Sequence, residues 1–312
     1  MTGTVREDDV TETSSGVFVE ATSHWTSRFR STVGLRGDLF TFDVKSDIAA
    51  NSGNRSAGIL SPKVSLAFAL GASSELYLSG GFGFHSNDAR GTTIAVDPAS
   101  GESAERVDPL VRSRGAEFGL RANLLPSWRS TFAAWVLELD SELLFVGDAG
   151  ATEPSDRTLR TGVTFANFYR PIAQLSIDAD VSLSRARIEG VAETENRIPG
   201  AIENVVAGGV TWSPVGNGVN GALRVRHFGA YPLIEDNSVR ASPTTLVNAS
   251  IGYVWTDYRF QITIPNALDR RANDIQYYYQ SRLPGETADV DDVHVHPVEP
   301  RQLRFSVSKG LR

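Results

Sequence analysis

Two histidines near the end of the chain lie close to two aspartates, and this combination of side chains can bind a metal ion. His294 and His296 closely follow Asp291 and Asp292, and imidazole nitrogens with carboxylate oxygens are common ligands of transition metals. The alternative is a network of hydrogen bonds that anchors a long connection over the end of the fold. We favour the network and keep the four residues as metal candidates.

Two further groups of polar residues are candidates for binding a ligand. The first lies where a predicted strand enters a long connection and consists of His85, Asn87, Asp88 and Arg90. The second consists of Arg224 and Arg226, which share one face of a predicted strand. Each group also has a structural interpretation: the first as a clamp on the connection, the second as a partner for acidic residues on the same face. We favour the structural interpretation for both.

Sequence motifs of enzyme catalysis are absent. The chain has no Gly-x-Ser-x-Gly elbow and no His-Glu-x-x-His pair. The glycine-rich run Gly80–Gly83 lies inside a predicted strand with no helix after it, so it does not predict a phosphate-binding loop. With no cysteine in the sequence, a thiolate nucleophile and a disulfide framework are excluded. We therefore expect neither an enzyme nor a cofactor.

The elements that carry these residues are predicted to be β-strands. Apolar and polar residues alternate with a period of two along most of the chain, as in strands with two different environments. The clearest example has an apolar row of Leu175, Ile177, Ala179, Val181 and Leu183, and a polar row that includes Asp178 and Asp180. Two unpaired carboxylates in a packed core would cost several kcal/mol. The pattern therefore predicts about thirteen strands with one apolar face and one wet face.

The connections between these strands alternate between tight and long. Tight turns are predicted near Trp25, Gly71, Ser127, Pro171, Pro214 and Asp257. Long connections are predicted at about 46–60, 86–112, 148–158, 189–200, 230–243 and 266–300. This alternation, with strands of about ten residues, is typical of antiparallel transmembrane barrels with short periplasmic turns and long extracellular loops. Aromatic residues near the tight turns fit an interfacial girdle.

Composition agrees with an envelope protein. The chain of 312 residues has a formal net charge of −7, which argues against nucleic acid as a partner. It contains no run of about 20 apolar residues that would predict a membrane-spanning helix. The first ten residues are polar and acidic, so we expect no secretory leader in this sequence. An odd number of strands with free edges predicts that the chain is only part of a barrel.

Several motifs permit a comparison with a known family. They include Asn266-Ala267-Leu268-Asp269, Tyr277-Tyr278-Tyr279, Arg282-Leu283-Pro284-Gly285-Glu286, His294 to His296 and Glu299-Pro300-Arg301. Further examples are Gly83 to Gly91, Ser141-Glu142 with Phe145 to Gly150, and Arg226-His227-Phe228-Gly229. Together, and over nearly the whole chain, they resemble the C-terminal barrel of TonB-dependent outer-membrane receptors. Arg282 and Glu286 thereby join the candidate ligand-binding residues.

The resemblance implies that residues 1–312 form one barrel domain, the last thirteen or so strands of a barrel with about 22. It implies uptake of a scarce small molecule, such as a metal chelate, across the outer membrane of a Gram-negative cell. The implied partners are outer-membrane lipid, an N-terminal plug with the other part of the barrel, and the TonB system. The chain departs from the family pattern at Pro265, at Ala267-Leu268 and at its end, Lys309-Gly310-Leu311-Arg312.

Three alternatives remain open at this stage. The chain is a passive or self-assembling outer-membrane barrel, a non-functional truncated receptor, or a soluble β-sandwich that binds a partner. In a sandwich the apolar rows would be buried against a second sheet. In a membrane barrel the same rows remain on the outside of the protein. The exposure of the apolar face therefore decides between the two architectures.

Overall fold

A computed structural model describes residues 6–98, 100–146, 151–154 and 156–310. Thirteen strands form one antiparallel sheet, which confirms the predicted number. They are β1 (Asp8–His24), β2 (Phe29–Ser46), β3 (Gly53–Ala69), β4 (Ser74–Ser86), β5 (Leu110–Leu125), β6 (Trp128–Leu139), β9 (Thr158–Ile172), β10 (Leu175–Ile188), β11 (Asn204–Trp212), β12 (Gly218–Phe228), β13 (Thr244–Trp255), β14 (Tyr258–Ile264) and β17 (Arg304–Lys309). Within the described residues β1 and β17 are the edges of an open sheet.

Four short strands form two hairpins inside long connections. β7 (Leu143–Val146) pairs with β8 (Ala151–Pro154), and β15 (Asn273–Ser281) pairs with β16 (Val290–Pro297). The single α-helix of the described chain, α1 (Ala89–Thr93), lies between β4 and β5. A turn between two strands of the main sheet lies at or near each predicted position, although Pro171 itself is inside β9 and the turn follows at residues 173–174. The motif Phe145 to Gly150 extends outside the described residues, as do Leu311 and Arg312 at the C-terminus.

Two predictions about element length are wrong. The connection predicted at 46–60 comprises only residues 47–52, and β1, β2 and β3 contain 17, 18 and 17 residues rather than about ten. The extended pairing rests on backbone hydrogen bonds that the apolar pattern does not report.

The apolar rows of the sheet are exposed. Val64 is 44% exposed, Phe118 49%, Phe165 47% and Leu183 50%. The strand register places these side chains on one face, from β1 to β17, which we call the apolar face. An ordinary soluble protein does not leave such a large contiguous apolar surface uncovered. The sheet is therefore not one half of a packed sandwich.

Buried apolar clusters are confined to one end of the sheet, where the long connections lie. Phe42 and Val44 pack against Ala89 of α1. A second cluster joins Tyr231, Leu233 and Ala241 of connection 229–243 to side chains of the β15–β16 hairpin. Among the described residues, no helix has the length and apolar character that crossing a bilayer requires. The small cores fold the connections over the end of the sheet.

Candidate functional site

Ionic residues occupy the opposite side of the sheet, which we call the polar face. Arg224 in β12 forms an ion pair with Asp178 in β10 and crosses β11 at Gly209, which lies between them in the register. A Cβ atom at Gly209 would lie 2.7 Å from Cδ of Arg224. Because Gly209 has no side chain, the Arg224 side chain can cross β11 and reach Asp178. The pairing of Arg224 with an acidic residue of this face agrees with the structural interpretation of this group.

Arg226 lies on the same face as Arg224, but it makes a different contact. Its guanidinium carbon is 5.0 Å from the ring centroid of Phe228, a distance suited to a cation–π interaction. The two arginines therefore share a strand face, as predicted, without converging on one acidic partner. Arg224 is half-exposed and its charge is largely compensated by Asp178.

A second ionic cluster of the polar face was missed by the sequence analysis. Arg30 in β2 and Arg121 in β5 both contact Glu75 in β4, with Arg30 Nη2 donating to Oε1 at 2.9 Å and Arg121 at 3.6 Å. Arg121 lies 4.1 Å above the Tyr77 ring, and the Tyr77 hydroxyl donates to Glu117 at 2.6 Å. The signal in the sequence was alternation: Glu75 and Tyr77 interleave with Leu76 and Leu78.

The candidates between His85 and Arg90 hold connection 87–109 in place. Asn87 is 6% exposed, and its Nδ2 donates to the Asp108 carbonyl at 2.7 Å. Asp88 caps α1 by accepting from the Arg90 amide, and it forms an ion pair with the Arg90 side chain. The hydrogen bond from the Arg90 guanidinium lowers the pKa of Asp88 below its ordinary value. His85 is only partly buried, on the polar face.

Asn51 lies in connection 47–52 and fixes the neighbouring connection, 87–109. The sequence analysis did not select this residue. Its Nδ2 donates to the Val96 carbonyl, and its Oδ1 accepts from the Ala95 and Val96 amides, each at 2.9 Å. The side chain is fully buried. A buried amide with three hydrogen bonds is a structural anchor. No sequence motif marks it, because its partners lie 44 and 45 residues away.

The two histidines of β16 have separate partners. The imidazole of His294 stacks on the Tyr279 ring, with centroids 3.7 Å apart. His296 Nδ1 lies 2.8 Å from Oδ1 of Asp274 in β15. This hydrogen bond lowers the pKa of Asp274 below its ordinary value.

The four metal candidates therefore do not form one site. Asp292 lies on the strand face of His294, and Asp291 points to the other face. No group of three or more His, Asp or Glu side chains in the described part of the chain is placed to hold a metal ion. His294 and His296 instead contact Tyr279 and Asp274 of the neighbouring strand β15, and the sequence analysis did not name Asp274.

Arg282 and Glu286 stabilise the turn of the same hairpin. Arg282 Nε donates to the Glu286 carbonyl at 3.2 Å, and Glu286 Oε2 accepts from the Leu283 amide at 2.5 Å. Both contacts lie within the turn between β15 and β16. Arg282 and Glu286 thus fix a hairpin tip that projects from the last long connection.

The family motifs at the base of this connection contact one another. Asn266 is 3% exposed and donates to the carbonyls of Arg270 and Glu299 at 2.9 and 3.1 Å. Asp269 accepts from the Arg301 amide at 3.0 Å. Asn266 and Asp269 have φ of 46° and 53°, values that asparagine and aspartate tolerate better than most residues. The motif residues therefore join the two ends of the connection between β14 and β17.

Hydrogen bonds also join this hairpin to its neighbouring connection. Gln276 in β15 accepts from the Ser242 amide at 3.0 Å and donates to its carbonyl at 2.9 Å. Tyr278 and Val293, on one face of the hairpin, pack on the cluster around Tyr231. Tyr277 remains 46% exposed on the opposite face. The arrangement can bind a ligand through exposed aromatic and polar groups, and its described side chains show no nucleophile held by a base.

An open antiparallel sheet with an exposed apolar face, a charged polar face and long connections at one end defines a β-barrel wall. The profile of the family described as "TonB dependent receptor-like, beta-barrel" matches residues 2–267. The chain belongs to this family, whose members are outer-membrane barrel proteins of Gram-negative bacteria and act as receptors and transporters. No curated protein matches the sequence.

Solved structures share the fold at low sequence identity. The ferric yersiniabactin uptake receptor FyuA from Yersinia pestis has a TM-score of 0.72 at 16% identity, over 96% of this chain and 46% of its own. The closed form of the ferric-catecholate import receptor Fiu from Escherichia coli K12 has 0.73 at 15%, over 96% and 45%. The copper transporter OprC has 0.71 at 14%, over 96% and 48%. The chain thus spans about half the length of these proteins.

Proposed function

We propose that this chain forms the C-terminal part of the barrel of an outer-membrane receptor that imports a small metal-containing ligand with energy from the TonB system. The observation that carries the proposal is the family match over residues 2–267 on a sheet with one exposed apolar face. Residues 1–312 act as barrel wall, with the polar face along the ligand's path. The long connections, which are fixed by internal hydrogen bonds, cover the extracellular end of the barrel wall.

The extent of the apolar face and the aromatic residues at its border support its contact with lipid. In β10 the apolar row extends from Leu175 to Leu183, and aromatic residues cluster at the tight-turn end. Trp128 and Tyr169 have ring centroids 5.7 Å apart, and Trp255 and Tyr258 have theirs 6.4 Å apart. Aromatic girdles flank the apolar band of outer-membrane barrels. The tight turns accordingly face the periplasm.

The free edges support completion by further strands rather than by a second copy. With tight turns in the periplasm, β1 and β17 both run from the extracellular to the periplasmic side, because twelve antiparallel steps separate them. Two copies in the same orientation would therefore meet through parallel strands, which outer-membrane barrels do not use. An odd number of additional antiparallel strands closes the sheet. The self-assembling barrel gains no support.

The names of the solved neighbours support only a broad ligand class. They describe ferric yersiniabactin, ferric catecholate and copper as the ligands of those three proteins. The connections of our chain are fixed by internal hydrogen bonds and leave aromatic groups such as Tyr277 exposed. We therefore propose a metal ion or metal chelate as the ligand class.

The membrane placement is tested by cysteine labelling, because the native chain contains no cysteine. Val64→Cys on the apolar face and Ser65→Cys on the polar face are neighbours in β3 and form a matched pair. In outer membranes from cells that express each variant at the native locus, a water-soluble maleimide is expected to label Ser65→Cys and spare Val64→Cys. In a soluble protein Val64→Cys would be labelled at least as fast, since Val64 is 44% exposed. That order would refute the barrel.

The transport role is tested by uptake of radiolabelled iron and copper chelates. Deleting the gene is expected to abolish uptake of at least one chelate. Dissipating the proton gradient in wild-type cells is expected to have the same effect on that chelate. If the deletion leaves the uptake of all tested chelates unchanged, the proposed role in import is contradicted. The cysteine pair would still report whether the barrel forms.

A further inference from the structure

The hydrogen-bonded ladder between β3 and β4 ends halfway up the sheet. β3 remains paired with β2 up to Gly53, and β4 remains paired with β5 up to Ser86. The two strands pair with each other only as far up as Lys63. Within the described chain, residues 53–62 of β3 and 82–86 of β4 therefore face each other without pairing. We call this interruption the seam.

A proline explains why the ladder ends at this point. The Leu70 amide donates to the Ser74 carbonyl, and hydrogen-bonded pairs recur at every second residue along an antiparallel ladder. Counted from this pair, Pro62 and Phe82 would form the next hydrogen-bonded pair above the last paired row. Pro62 has no backbone N–H to donate to the Phe82 carbonyl. The ladder thus ends where its next donor is missing.

Side chains, rather than the backbone, close the seam. Arg112 in β5 donates from Nη1 to the Leu60 carbonyl at 3.0 Å, and its guanidinium carbon lies 5.4 Å from the centroid of the Phe82 ring. Phe84 lies on the apolar face and Phe40 on the polar face by register, yet their ring centroids are 5.7 Å apart. The two rings can meet only where the sheet is interrupted. These contacts can break without the loss of any strand pairing.

Glycines lie at one level in the three strands beside the seam. Gly37 in β2 aligns with Val17 and Leu60, and Gly16 in β1 and Gly58 in β3 lie on the next two rows up. Glycine inside a strand weakens it and often marks a bend. The three-stranded part of the sheet above these glycines comprises residues 8–15, 39–46 and 53–58, and we call it the panel.

Connection 87–109 spans the top of the seam. Its helix α1 packs on Phe42 and Val44 of the panel, and Asn51, between the panel strands β2 and β3, donates to the same connection. At its other end the connection is fixed beside β5, because Asn87 donates to the Asp108 carbonyl at 2.7 Å. The connection therefore joins the panel to the remainder of the sheet and limits how far the two can separate.

The seam begins at the outer border of the apolar band. Leu60 lies ten positions from Leu70, which adjoins the tight turn. At about 3.3 Å per residue and a tilt of about 40°, ten residues rise about 25 Å, the height of the band. Open strand edges are not tolerated in lipid, and below Lys63 the ladder is intact. A cavity of about 630 Å³ lies beside the seam and is lined in part by Leu60 and Arg112.

We propose that the panel is a hinged part of the wall, which bends at its glycines and opens the seam into a side passage. Arg112 and Phe84 act as the latch that holds the seam closed. When the seam opens, a molecule at the membrane surface reaches the polar face from the side, without passing between the long connections. The position of the passage rests on the proposed membrane placement, whereas the opening itself does not.

The test measures distances between nitroxide labels by electron paramagnetic resonance, because the native chain has no cysteine. Labels at Ser56→Cys and Ser86→Cys lie on the two sides of the seam. Labels at Thr13→Cys and Ser56→Cys form the matched control, because both lie in the panel with one strand between them. In the full chain in phosphatidylcholine vesicles, the seam pair is expected to give two distances and the control pair one.

Two arginine variants test the latch. Arg112→Gln removes a charged hydrogen bond across the seam, so the ratio of the longer to the shorter distance is expected to rise about tenfold. Arg114→Gln is the matched control, because Arg114 lies on the same face of β5 and pairs with Glu138 of β6 instead. It is expected to leave the ratio unchanged. Equal ratios in the two variants would overturn the latch and with it the proposal.

Pro62→Val supplies the missing donor and tests the cause of the seam. The restored pairing holds the strands about 4.8 Å apart, so the longer distance is expected to disappear. A wild-type chain with one seam distance that Pro62→Val leaves unchanged overturns the opening, and two distances in the control pair overturn the panel as one unit. If Pro62→Val does not fold, the arginine variants decide. Protection of Val64→Cys in the same vesicles reports insertion, so a failure of the membrane placement is recognised separately.

Discussion

An arginine in the middle of the apolar face is expected to destabilise the membrane-inserted protein strongly. Phe165 in β9 lies four positions from Tyr169 of the aromatic girdle. Four residues correspond to about 13 Å along the strand and about 10 Å of depth, close to the middle of a band about 25 Å tall. An outward arginine at this depth costs about 2–4 kcal/mol. Phe165→Arg should therefore lower the free energy of unfolding by that amount.

The neighbouring residue provides a matched control. Ala166 lies on the polar face, opposite Asp180 in the register, so Ala166→Arg places the same charge beside a carboxylate in a wet environment. Its expected cost is below about 1 kcal/mol, as for exposed ion pairs. Tyr169→Arg, at the interface, should cost about 0–1 kcal/mol. The three variants differ in side or depth while each introduces the same residue.

The measurement is urea unfolding of each variant in phosphatidylcholine vesicles, followed by tryptophan fluorescence. If the apolar face contacts lipid, Phe165→Arg costs more than either Tyr169→Arg or Ala166→Arg. If the same face is in water, Phe165→Arg removes an exposed apolar ring and costs nothing. A Phe165→Arg variant as stable as Ala166→Arg in the vesicles would refute the assignment of the two faces.

Three further outcomes are expected. Asp178→Asn should change the free energy of unfolding by less than about 1 kcal/mol, because the ion pair of Asp178 with Arg224 is half-exposed. Equilibrium unfolding measures this change, and a larger loss of stability would contradict the expectation. Asn266→Ala removes three hydrogen bonds of a buried side chain, so hydrogen exchange in the last long connection should accelerate about a hundredfold; unchanged exchange would refute its anchoring role. The pKa of Asp274 is lowered by its hydrogen bond with His296, so this contribution to stability is present above the unfolded pKa near 4 and is lost as the pH falls through the folded value. After correction for the intrinsic pH dependence of amide exchange, the protection of the hairpin amides should fall below about pH 4 in the wild type, and Asp274→Asn should abolish that fall.

The part of the fold that crosses the proposed membrane could be predicted from sequence, because there the two faces of each strand meet different environments. The thirteen strands and all six tight turns follow from alternation and turn residues. The upper parts of β1, β2 and β3 were missed for the converse reason. From Gly53 to Ser61 polar and apolar residues do not alternate cleanly, and backbone pairing alone holds the strands together. Period-two patterning reports environment rather than hydrogen bonding.

The candidate residues could be selected from sequence, but their partners could not. His296 was selected, whereas its partner Asp274 lies 22 residues earlier and across a hairpin. Asn51 contacts backbone 44 residues away, and a backbone partner leaves no trace in side-chain composition. The pairing of Arg224 with an acidic residue of the same face was accessible because strand parity fixes the face. The odd or even position of a residue in a strand thus predicts the face of the sheet on which its side chain lies. Only the strand register shows which side chains are its neighbours.

Glycines of the polar face show what register adds to a sequence pattern. Glycine is unfavourable inside strands by about 0.5–1 kcal/mol, yet Gly34 lies between Glu20 and Lys63 in the register, with a Cβ position only 2.6 Å from Cε of Lys63. Strands two steps apart are separated by about 9.6 Å, so a lysine reaches across only if the middle strand presents no side chain. Lys63 does so and contacts Glu20 at 2.6 Å, as Arg224 crosses Gly209. Glycine flanked in register by opposite charges therefore indicates an ion pair that spans three strands, and its own unfavourable strand propensity is offset by the contact it permits.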